Sequence, residues 1–155
     1  MIKIYLGAGK DRKEGFTHLD ASPVTNPDII WKCPDPLPFP DSSVEEVFSQ
    51  DFLEHIHPED KITLMNEIWR VLTRGGVMTH IIPLAGTRND YGSPTHLSHW
   101  HPQQFEHFDV EHRRYQIDHE YEGFVGGFRK VGMNYSVEPN GETPQSFKVV
   151  YTAVK

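Results

Sequence analysis

Two glycines and an acid near the start of the chain have the types and spacing of a turn that binds a ribose. Gly7, Ala8 and Gly9 directly follow a short segment that alternates apolar and polar residues, and Asp20 ends the next apolar segment. Glycine lets a ligand approach the backbone closely, and an acid at the end of the second strand can accept both hydroxyl hydrogens of a ribose. The Gly-x-Gly triplet alone is also typical of an ordinary turn. The prediction of a ribose-binding turn therefore depends mainly on Asp20 at the end of the second apolar segment.

Histidine is the second residue type that could do chemistry. The chain has 10 histidines, of which His96, His99 and His101 fall within six residues. Neutral imidazoles are good ligands for zinc or iron, so one hypothesis is a metal-dependent enzyme built on these three side chains. The other hypothesis is an ordered loop over a substrate pocket. We favour the loop and predict no metal site; residues 55–57, with two further histidines, are interpreted mainly as a helix entry.

Alternating and apolar segments predict the elements that position these residues. Four short strands are predicted first, at residues 2–6, 16–20, 28–32 and 44–49. A helix then begins at Pro58, carries an apolar stripe at helical spacing and ends at Gly75 in a left-handed cap. Residues 77–84 follow as an apolar strand, which we expect at the centre of a sheet.

The connection between the first two strands is unusually short. Only six residues, 10–15, separate Gly9 from the second predicted strand. A crossover that contains a proper helix between parallel strands takes about a dozen residues. Either the first helix is reduced to a turn, or these two strands are not parallel neighbours.

The last third of the chain predicts less regular structure. Helical turns are predicted at residues 102–108, and a short helix at residues 123–131, closed by Gly132. Residues 133–138 and 146–154 predict two final strands, joined by a turn at residues 139–141, and this turn suits an antiparallel pair. The order of elements predicts an α/β sandwich.

Composition limits the classes of protein that this chain can represent. Its 155 residues suffice for a single domain, and a net charge of -7 disfavours non-specific nucleic-acid binding, which needs many basic residues. Cys33 is the single cysteine, so an intramolecular disulfide and a cysteine-rich zinc module are excluded. Apolar runs fall short of membrane-spanning length, and the first residues lack the pattern of a signal peptide. We therefore expect a cytoplasmic protein without a membrane partner.

Several motifs occur in order with compact spacing. They are the glycine turn, the acid at residue 20, Leu-Pro-Phe at residues 37–39, Leu-Glu-His at residues 53–55 and Glu-Ile-Trp-Arg-Val-Leu-x-x-Gly-Gly at residues 67–76. In this combination the chain resembles the class I S-adenosylmethionine-dependent methyltransferases, specifically the small methyltransferase domains of the UbiE/COQ5-like or type 11 kind. The resemblance covers residues 2 to about 108; beyond it, only the general order of elements matches.

The resemblance implies a fold, a cofactor and a set of cofactor contacts. The fold would be a single Rossmann-like α/β domain over residues 1–155, with a mostly parallel sheet, a C-terminal antiparallel hairpin and a reduced first helix. The cofactor would be S-adenosyl-L-methionine. The implied contacts are Gly7, Ala8 and Gly9 with the methionine part, Asp20 and Ala21 with the ribose, Cys33, Asp35 and Leu37 with the adenine, and Gln50 and Asp51 with the inner side of the cofactor.

The chain departs from the family pattern at the adenine loop. Cys33 stands where relatives have an aspartate, and Pro34 has no backbone N–H to donate. Asp35 is our candidate for the missing acceptor. The sequence also starts at the first strand, so we expect the N-terminal helices that cover the active site in many relatives to be absent.

Methyl transfer from a sulfonium is an in-line displacement, so alignment of the reactants supplies much of the acceleration. A base is needed only for a hydroxyl or a protonated amine, and His55, His96 and His99 are the predicted catalytic residues, with Asp51 in reserve. The alternative is a non-catalytic module of the same fold that binds the cofactor or serves an active partner. The sequence leaves the methyl acceptor and the oligomeric state open.

Overall fold

One mixed sheet runs through the part of the protein that the computed structural model describes, residues 2–136 and 143–155. Within these residues the sheet has seven strands in the order β3-β2-β1-β4-β5-β7-β6. The strands are β1 (Ile2–Leu6), β2 (Thr17–Asp20), β3 (Ile29–Ile30), β4 (Val44–Gln50), β5 (Leu72–Pro83), β6 (Phe128–Tyr135) and β7 (Ser146–Ala153). The α-helices are α1 (Lys61–Val71), α2 (Arg88–Tyr91) and α3 (Arg113–Glu122).

The sheet is parallel from β3 to β5 and antiparallel at its other end. β1 pairs with both β2 and β4, and β4 pairs with β5, all in parallel. β7 pairs antiparallel with both β5 and β6. The predicted fold, a mostly parallel sheet with a C-terminal antiparallel hairpin, is confirmed. The strand predicted at the centre, β5, lies beside the middle strand β4.

No helix connects β1 to β2. After β1 the chain makes turns in which the N–H of Asp11 donates to the carbonyl of Ala8 at 2.9 Å, and the guanidinium of Arg12 donates to the carbonyls of Gly9, Thr25 and Asn26. The two strands are nevertheless parallel neighbours. Of the two alternatives, the reduced first helix is therefore the one that the structure has.

Helix α1 begins after a short 3-10 turn, Pro58–Asp60, and buries Leu64, Met65, Ile68 and Val71 against the sheet. Its predicted end was wrong. The helix ends at Val71, and Gly75, with a φ of 74°, lies inside β5 where the register against β4 shifts. The left-handed backbone of Gly75 accommodates the shift in register between β5 and β4.

The helix predicted at residues 123–131 and its predicted end at Gly132 were also wrong. Residues 123–131 contain no helix: Gly123 has a φ of 82° and caps α3, and the strand β6 starts at Phe128. Gly132 lies inside β6, next to the register shift against β7. Helix α3 escaped prediction because it buries none of its residues and so has no apolar stripe. The predicted turn at residues 139–141 lies outside the described residues, as does the end of the predicted strand 133–138.

The core lies on one face of the sheet, because the core side chains of β1, β4, β5 and β7 pair across the strands and so point to the same side. One part is aliphatic and joins α1 to β1, β4 and β5. The other part is aromatic: Phe105, in a 3-10 stretch Pro102–Phe108, contacts the rings of Trp100, Phe147 and Tyr151 at centroid distances of 5.4 to 6.2 Å. Offset and edge-to-face ring pairs of this kind stabilise a core beyond the area that they bury. Among the described residues, we find no helix with the length and apolar character needed to cross a lipid bilayer.

The loop that carries the Leu-Pro-Phe motif is fixed to α1 by a charged network. Arg70 donates to both carboxylate oxygens of Glu67, to the carboxylate of Asp41 and to the carbonyls of Leu37 and Phe39, at 2.7 to 3.0 Å. The second oxygen of Glu67 also accepts from the N–H of Leu37 at 2.8 Å. The spacing of Glu and Arg in the helix motif thus has a structural function, because it closes the loop over the helix.

We predict that Arg70→Met lowers the free energy of unfolding by about 2–3 kcal/mol, because Glu67 and two loop carbonyls lose their donors. The expected loss of stability is moderate because the Arg70 side chain is 28% exposed, so solvent screens part of its interaction with the carboxylates. Urea unfolding measures it. Arg74→Met, at an exposed position of the same segment, is the control and is expected to change stability by less than about 0.5 kcal/mol. Equal losses in the two variants would contradict the network.

The same network predicts a pH dependence of stability. The hydrogen bond from Arg70 is the largest cause that holds the pKa of Glu67 below its ordinary value of 4.5. A lowered folded-state pKa contributes stability that is present above the unfolded-state value and is lost as pH falls through the folded-state value. The stability difference between the wild type and Arg70→Met is therefore expected to be full at neutral pH and to shrink below pH 4.5. Urea titrations at several pH values measure this difference.

Candidate functional site

A cleft of about 450 Å³ opens where the parallel strands end. Its walls come from Asp20 at the end of β2 and from the segments that follow β1, β2, β3 and β4, with one residue, Leu97, from the segment after α2. The neighbours of β1 lie on opposite sides, β2 on one and β4 on the other, so the chain order reverses at this point. Ligands of open α/β sheets bind outside the carboxyl ends of the strands at such a reversal. The volume suits a ligand of drug size.

The turn after β1 is shaped by an aromatic ring. Gly7 has a left-handed backbone, with a φ of 63°, and a Cβ placed there would lie 2.2 Å from Cδ2 of Phe52. Glycine is therefore required at residue 7 by both backbone and packing. Gly9 is also left-handed, with a φ of 55°, but a Cβ at this residue would meet nothing within 4 Å.

The carboxylate of Asp20 holds two turns together at the floor of the cleft. Oδ2 accepts from the N–H of Gly9, and Oδ1 accepts from the N–H of Ser22, both at 2.8 Å. An ionised carboxylate has about four acceptor positions, so these two bonds leave capacity for further donors. Asp20 and Ala21 both line the cleft. A fixed carboxylate with free acceptor capacity is the group that a ribose diol needs.

The wall after β3 is more apolar than expected. Trp31 is buried, and its indole N–H donates to the carbonyl of Asp35 at 2.9 Å, so the ring is fixed in place. Burial raises the pKa of the Cys33 thiol to about 12, which keeps it neutral. This wall offers flat contact surface and a weak thiol donor where relatives were expected to place an acid.

The end of β4 has an unusual backbone. Asp51 has a φ of 49°, a left-handed conformation that is uncommon outside glycine. Its N–H is fixed by the carbonyl of Ile81 on β5 at 3.0 Å. The bend sends Phe52 over Gly7 and leaves Asp51 on the wall of the cleft. Strain of this kind is found where a chain holds a functional side chain in place.

Beside the cleft, two histidines have the same orientation relative to backbone carbonyls. Nδ1 of His55 lies 3.0 Å from the carbonyl oxygen of Thr95, and Nδ1 of His96 lies 2.7 Å from the carbonyl oxygen of Asp90. A carbonyl oxygen only accepts, so each Nδ1 carries the proton and each Nε2 keeps a free lone pair. The two rings meet edge to face with centroids 5.0 Å apart.

Glu54 lies next to these rings and has an unusual environment. Its side chain is 1% exposed, and neither carboxylate oxygen has a hydrogen-bond partner. Burial is the largest cause that raises the pKa of Glu54 to about 7; its own backbone N–H lowers the pKa, and the nearby acids Asp51 and Asp90 add to the rise. Its backbone carbonyl accepts from the N–H groups of Leu97 and Ser98. Glu54 thus contacts this segment through its main chain.

The structure brings together only part of the predicted site. The predicted residues that line the cleft are Gly7, Asp20, Ala21, Cys33, Asp51 and His55. The other predicted residues lie off its wall, and their functions remain predictions. Ala8 and Leu37 are buried in the core, Gly9 donates to Asp20, and Asp35 and Gln50 are exposed.

The three histidines of residues 96–101 contact different groups. Nδ1 of His99 lies 2.9 Å from the buried Asp90 carboxylate, and His101 accepts from the N–H of Gln103. Trp100 between them is buried and donates to the carbonyl of Leu53 at 2.9 Å. Among the described residues, no group of possible metal ligands contains His99 or His101. A metal site built on His96, His99 and His101 together therefore has no geometric support.

Sequence reasoning missed several residues of the cleft wall. They are Trp31, Lys32, Phe52, Ile56, His57, Asp60 and Leu97. For the first three a signal was available, because Trp31 and Lys32 end the predicted strand 28–32 and Phe52 follows Asp51 after the fourth predicted strand, so all three lie at the carboxyl edge of the sheet. Leu97 had no such signal, since its position depends on how a loop about 40 residues away in sequence docks beside His55.

Part of the chain, which includes most of the cleft, is similar to a known family. Residues 18–79 match the model of a family described as a methyltransferase domain. This segment starts in β2 and ends in β5, so it contains most of the cleft. The comparison with curated proteins gave no match.

Solved structures of S-adenosylmethionine-dependent methyltransferases have the same fold. One from Archaeoglobus fulgidus is 15% identical, with a TM-score of 0.67 over 97% of this chain and 86% of that one. One from Aquifex aeolicus is 16% identical, with a TM-score of 0.60 over 100% of this chain and 82% of that one. One from Mesorhizobium loti is 15% identical, with a TM-score of 0.61 over 97% and 90%. At these identities the similarity establishes the fold.

The two glycines of the first turn predict different costs of substitution. Gly7→Ala is expected to destabilise the protein by about 3 kcal/mol or more, because the left-handed backbone and the clash with Phe52 both cost free energy. Gly9→Ala is the matched control and is expected to cost about 1 kcal/mol, from the backbone alone. Thermal and urea unfolding of both variants measure the costs. A Gly7→Ala variant as stable as Gly9→Ala would contradict the packing of Phe52 on this turn.

Proposed function

We propose that this chain is a class I S-adenosylmethionine-dependent methyltransferase that binds S-adenosylmethionine in the cleft and transfers the methyl group to an acceptor. Three observations support the proposal: the family match spans β2 to β5, the solved neighbours share the sheet, and the cleft lies at the reversal point of that sheet. The position of Asp20 is the observation that carries it.

Asp20 has the geometry to hold the sugar of the cofactor. Its two bonds to the N–H groups of Gly9 and Ser22 fix the carboxylate without using its full acceptor capacity. Charge-assisted hydrogen bonds from two ribose hydroxyls are stronger than neutral ones. The residues present therefore fit the group, and Asp20 with Ala21 would form the ribose end of the site.

The adenine end would use contact surface more than hydrogen bonds. Trp31, Phe52 and Ile56 supply apolar area on the cleft wall, and the ring of Trp31 is held by the carbonyl of Asp35. The Cys33 thiol stays neutral at physiological pH because burial raises its pKa to about 12. Asp35, our candidate for the adenine acceptor, is exposed and lies off the cleft wall.

Near the reacting end of the cleft, the chain offers two groups that can take a proton. When bound, the cofactor supplies a methyl group on a sulfonium sulfur. His55 lines the cleft, and its Nε2 has a free lone pair because Nδ1 donates to the carbonyl of Thr95. Asp51 lines the same wall. We propose that His55 accepts a proton from the acceptor, with Asp51 as the second candidate, while the walls hold the reactants in line.

Substitution of Asp20 tests the site. Asp20→Asn keeps the size of the side chain and one oxygen acceptor but removes the charge. The loss of charge-assisted bonds to the ribose is expected to weaken binding of S-adenosylmethionine by about 10- to 100-fold. Isothermal titration calorimetry with S-adenosylmethionine and with S-adenosylhomocysteine measures this affinity.

Asp118→Asn is the matched control, because it makes the same chemical change at an acid on α3, away from the cleft wall. The control is expected to bind the cofactor like the wild type. If Asp20→Asn also binds like the wild type, the ribose assignment is wrong. If the wild type shows no affinity for either compound, the proposed function itself is refuted.

A further inference from the structure

Three side chains of the metal-ligand type converge beside the cleft. Glu54, His55 and His96 each offer one ligand atom, and these three atoms all lie within 4.8 Å of one another. Two of the residues are adjacent in sequence after β4, and the third comes from the segment after α2. This group differs from the His96, His99 and His101 set that the sequence indicated, because it replaces two of those histidines by a glutamate and a histidine about 40 residues earlier.

Both imidazoles are already oriented as metal ligands are. In metal sites, a ligating histidine donates its second ring N–H to a carbonyl or a carboxylate, which fixes the tautomer and the ring. Here His55 donates from Nδ1 to the carbonyl of Thr95, and His96 donates from Nδ1 to the carbonyl of Asp90. The Nε2 atom of each ring is left with its lone pair free.

Glu54 gives the independent indication of a ligand. Its side chain is 1% exposed, and both carboxylate oxygens lack a hydrogen-bond partner. A buried carboxylate without a partner costs several kcal/mol, so natural proteins pair such groups or bind them to metals. Its Oε1 lies 3.8 Å from Nε2 of His96. That distance is too long for a hydrogen bond and slightly exceeds the ~3–3.5 Å between two ligands that bind one cation at ~2.1 Å.

The surrounding chain keeps the three residues in place and makes the region negative. The carbonyl of Glu54 accepts from the N–H groups of Leu97 and Ser98, which joins the two segments that carry the ligands. Asp51 and Asp90 are the acids close enough to act on the Glu54 carboxyl. A cation between the three side chains would offset this accumulation of negative charge.

We propose that Glu54, His55 and His96 bind one divalent transition-metal ion, with a coordination position open towards the cleft on the side of His55. Two imidazole nitrogens and one carboxylate oxygen form a ligand set that suits zinc, iron(II), cobalt(II) or manganese(II). The three protein ligands leave room for water or for an oxygen of another molecule, as in catalytic metal sites.

The metal site also limits the chemical class of the methyl acceptor. This step rests on the proposed methyltransferase function. A cation at this position would bind an oxygen of the acceptor and lower the pKa of a bound hydroxyl. Because Nε2 of His55 would then be a metal ligand, the proton would leave to Asp51, the second candidate base on the cleft wall, or to solvent. The acceptor class that fits is therefore a molecule that presents a hydroxyl oxygen to the cleft.

Metal binding is measured without the cofactor, on protein that carries no histidine tag and has been treated with a chelator. Titration with Zn²⁺ by calorimetry is expected to show one site per chain, and Co²⁺ is expected to give visible absorption bands of a nitrogen and oxygen site. Glu54→Gln keeps the volume of the buried side chain, and His55→Ala is at an exposed position. Each is expected to weaken Zn²⁺ binding at least about 10-fold.

His101→Asn is the matched control, because it removes a neighbouring imidazole and keeps an acceptor for the N–H of Gln103. It is expected to bind Zn²⁺ like the wild type. The proposal is overturned if the wild type takes up no stoichiometric Zn²⁺, if Glu54→Gln and His55→Ala bind it like the wild type, or if His101→Asn loses as much affinity as His55→Ala.

Cofactor titrations separate this proposal from the proposed function. Glu54 and His96 lie off the cleft wall, so Glu54→Gln and His96→Ala are expected to bind S-adenosylhomocysteine like the wild type while they lose Zn²⁺. A wild type that binds Zn²⁺ but not S-adenosylhomocysteine supports the metal site and refutes the methyltransferase site. A wild type that binds S-adenosylhomocysteine but not Zn²⁺ overturns the metal site alone.

Discussion

The carboxylate of Asp20 joins two turns that no helix supports. The connection from β1 to β2 consists of turns only, so the shape of the cleft floor depends on the bonds that Asp20 accepts from the N–H groups of Gly9 and Ser22. The ring of Phe52 fixes the same bend from the other side, against Gly7. One acidic side chain therefore builds the floor and, in the proposed function, also holds the ligand that lies on it.

Much of the fold followed from the sequence, because apolar patterns report burial. The strands of the parallel half and the apolar stripe of α1 were found since both bury a continuous face. Helix α3 was missed because it buries nothing. Phe124 and Phe128, within the helix predicted at residues 123–131, have a spacing that a helical face also has; in the structure these rings stack with centroids 6.0 Å apart, one before β6 and the other at its start.

The candidate site was predictable where it depends on strand ends and unpredictable where it depends on loop docking. Gly7 and Asp20 were found because parallel strands deliver their carboxyl ends to one edge, and Asp51 at the same edge was implied by the family resemblance. Grouping histidines by nearness in sequence placed His96 with His99, whereas the fold places it with His55, whose ring lies 5.0 Å away. That contact is set by hydrogen bonds between two segments about 40 residues apart, which no local pattern reports.

The account rests on a nucleoside lying in the cleft with its sugar on Asp20. A crystal structure of the protein with S-adenosylhomocysteine tests this most directly. The account predicts density between the turn after β1 and the wall at Trp31, with the ribose hydroxyls within hydrogen-bond distance of the Asp20 carboxylate. Density for the compound elsewhere, or a cleft that holds it with its sugar away from Asp20, would contradict the account.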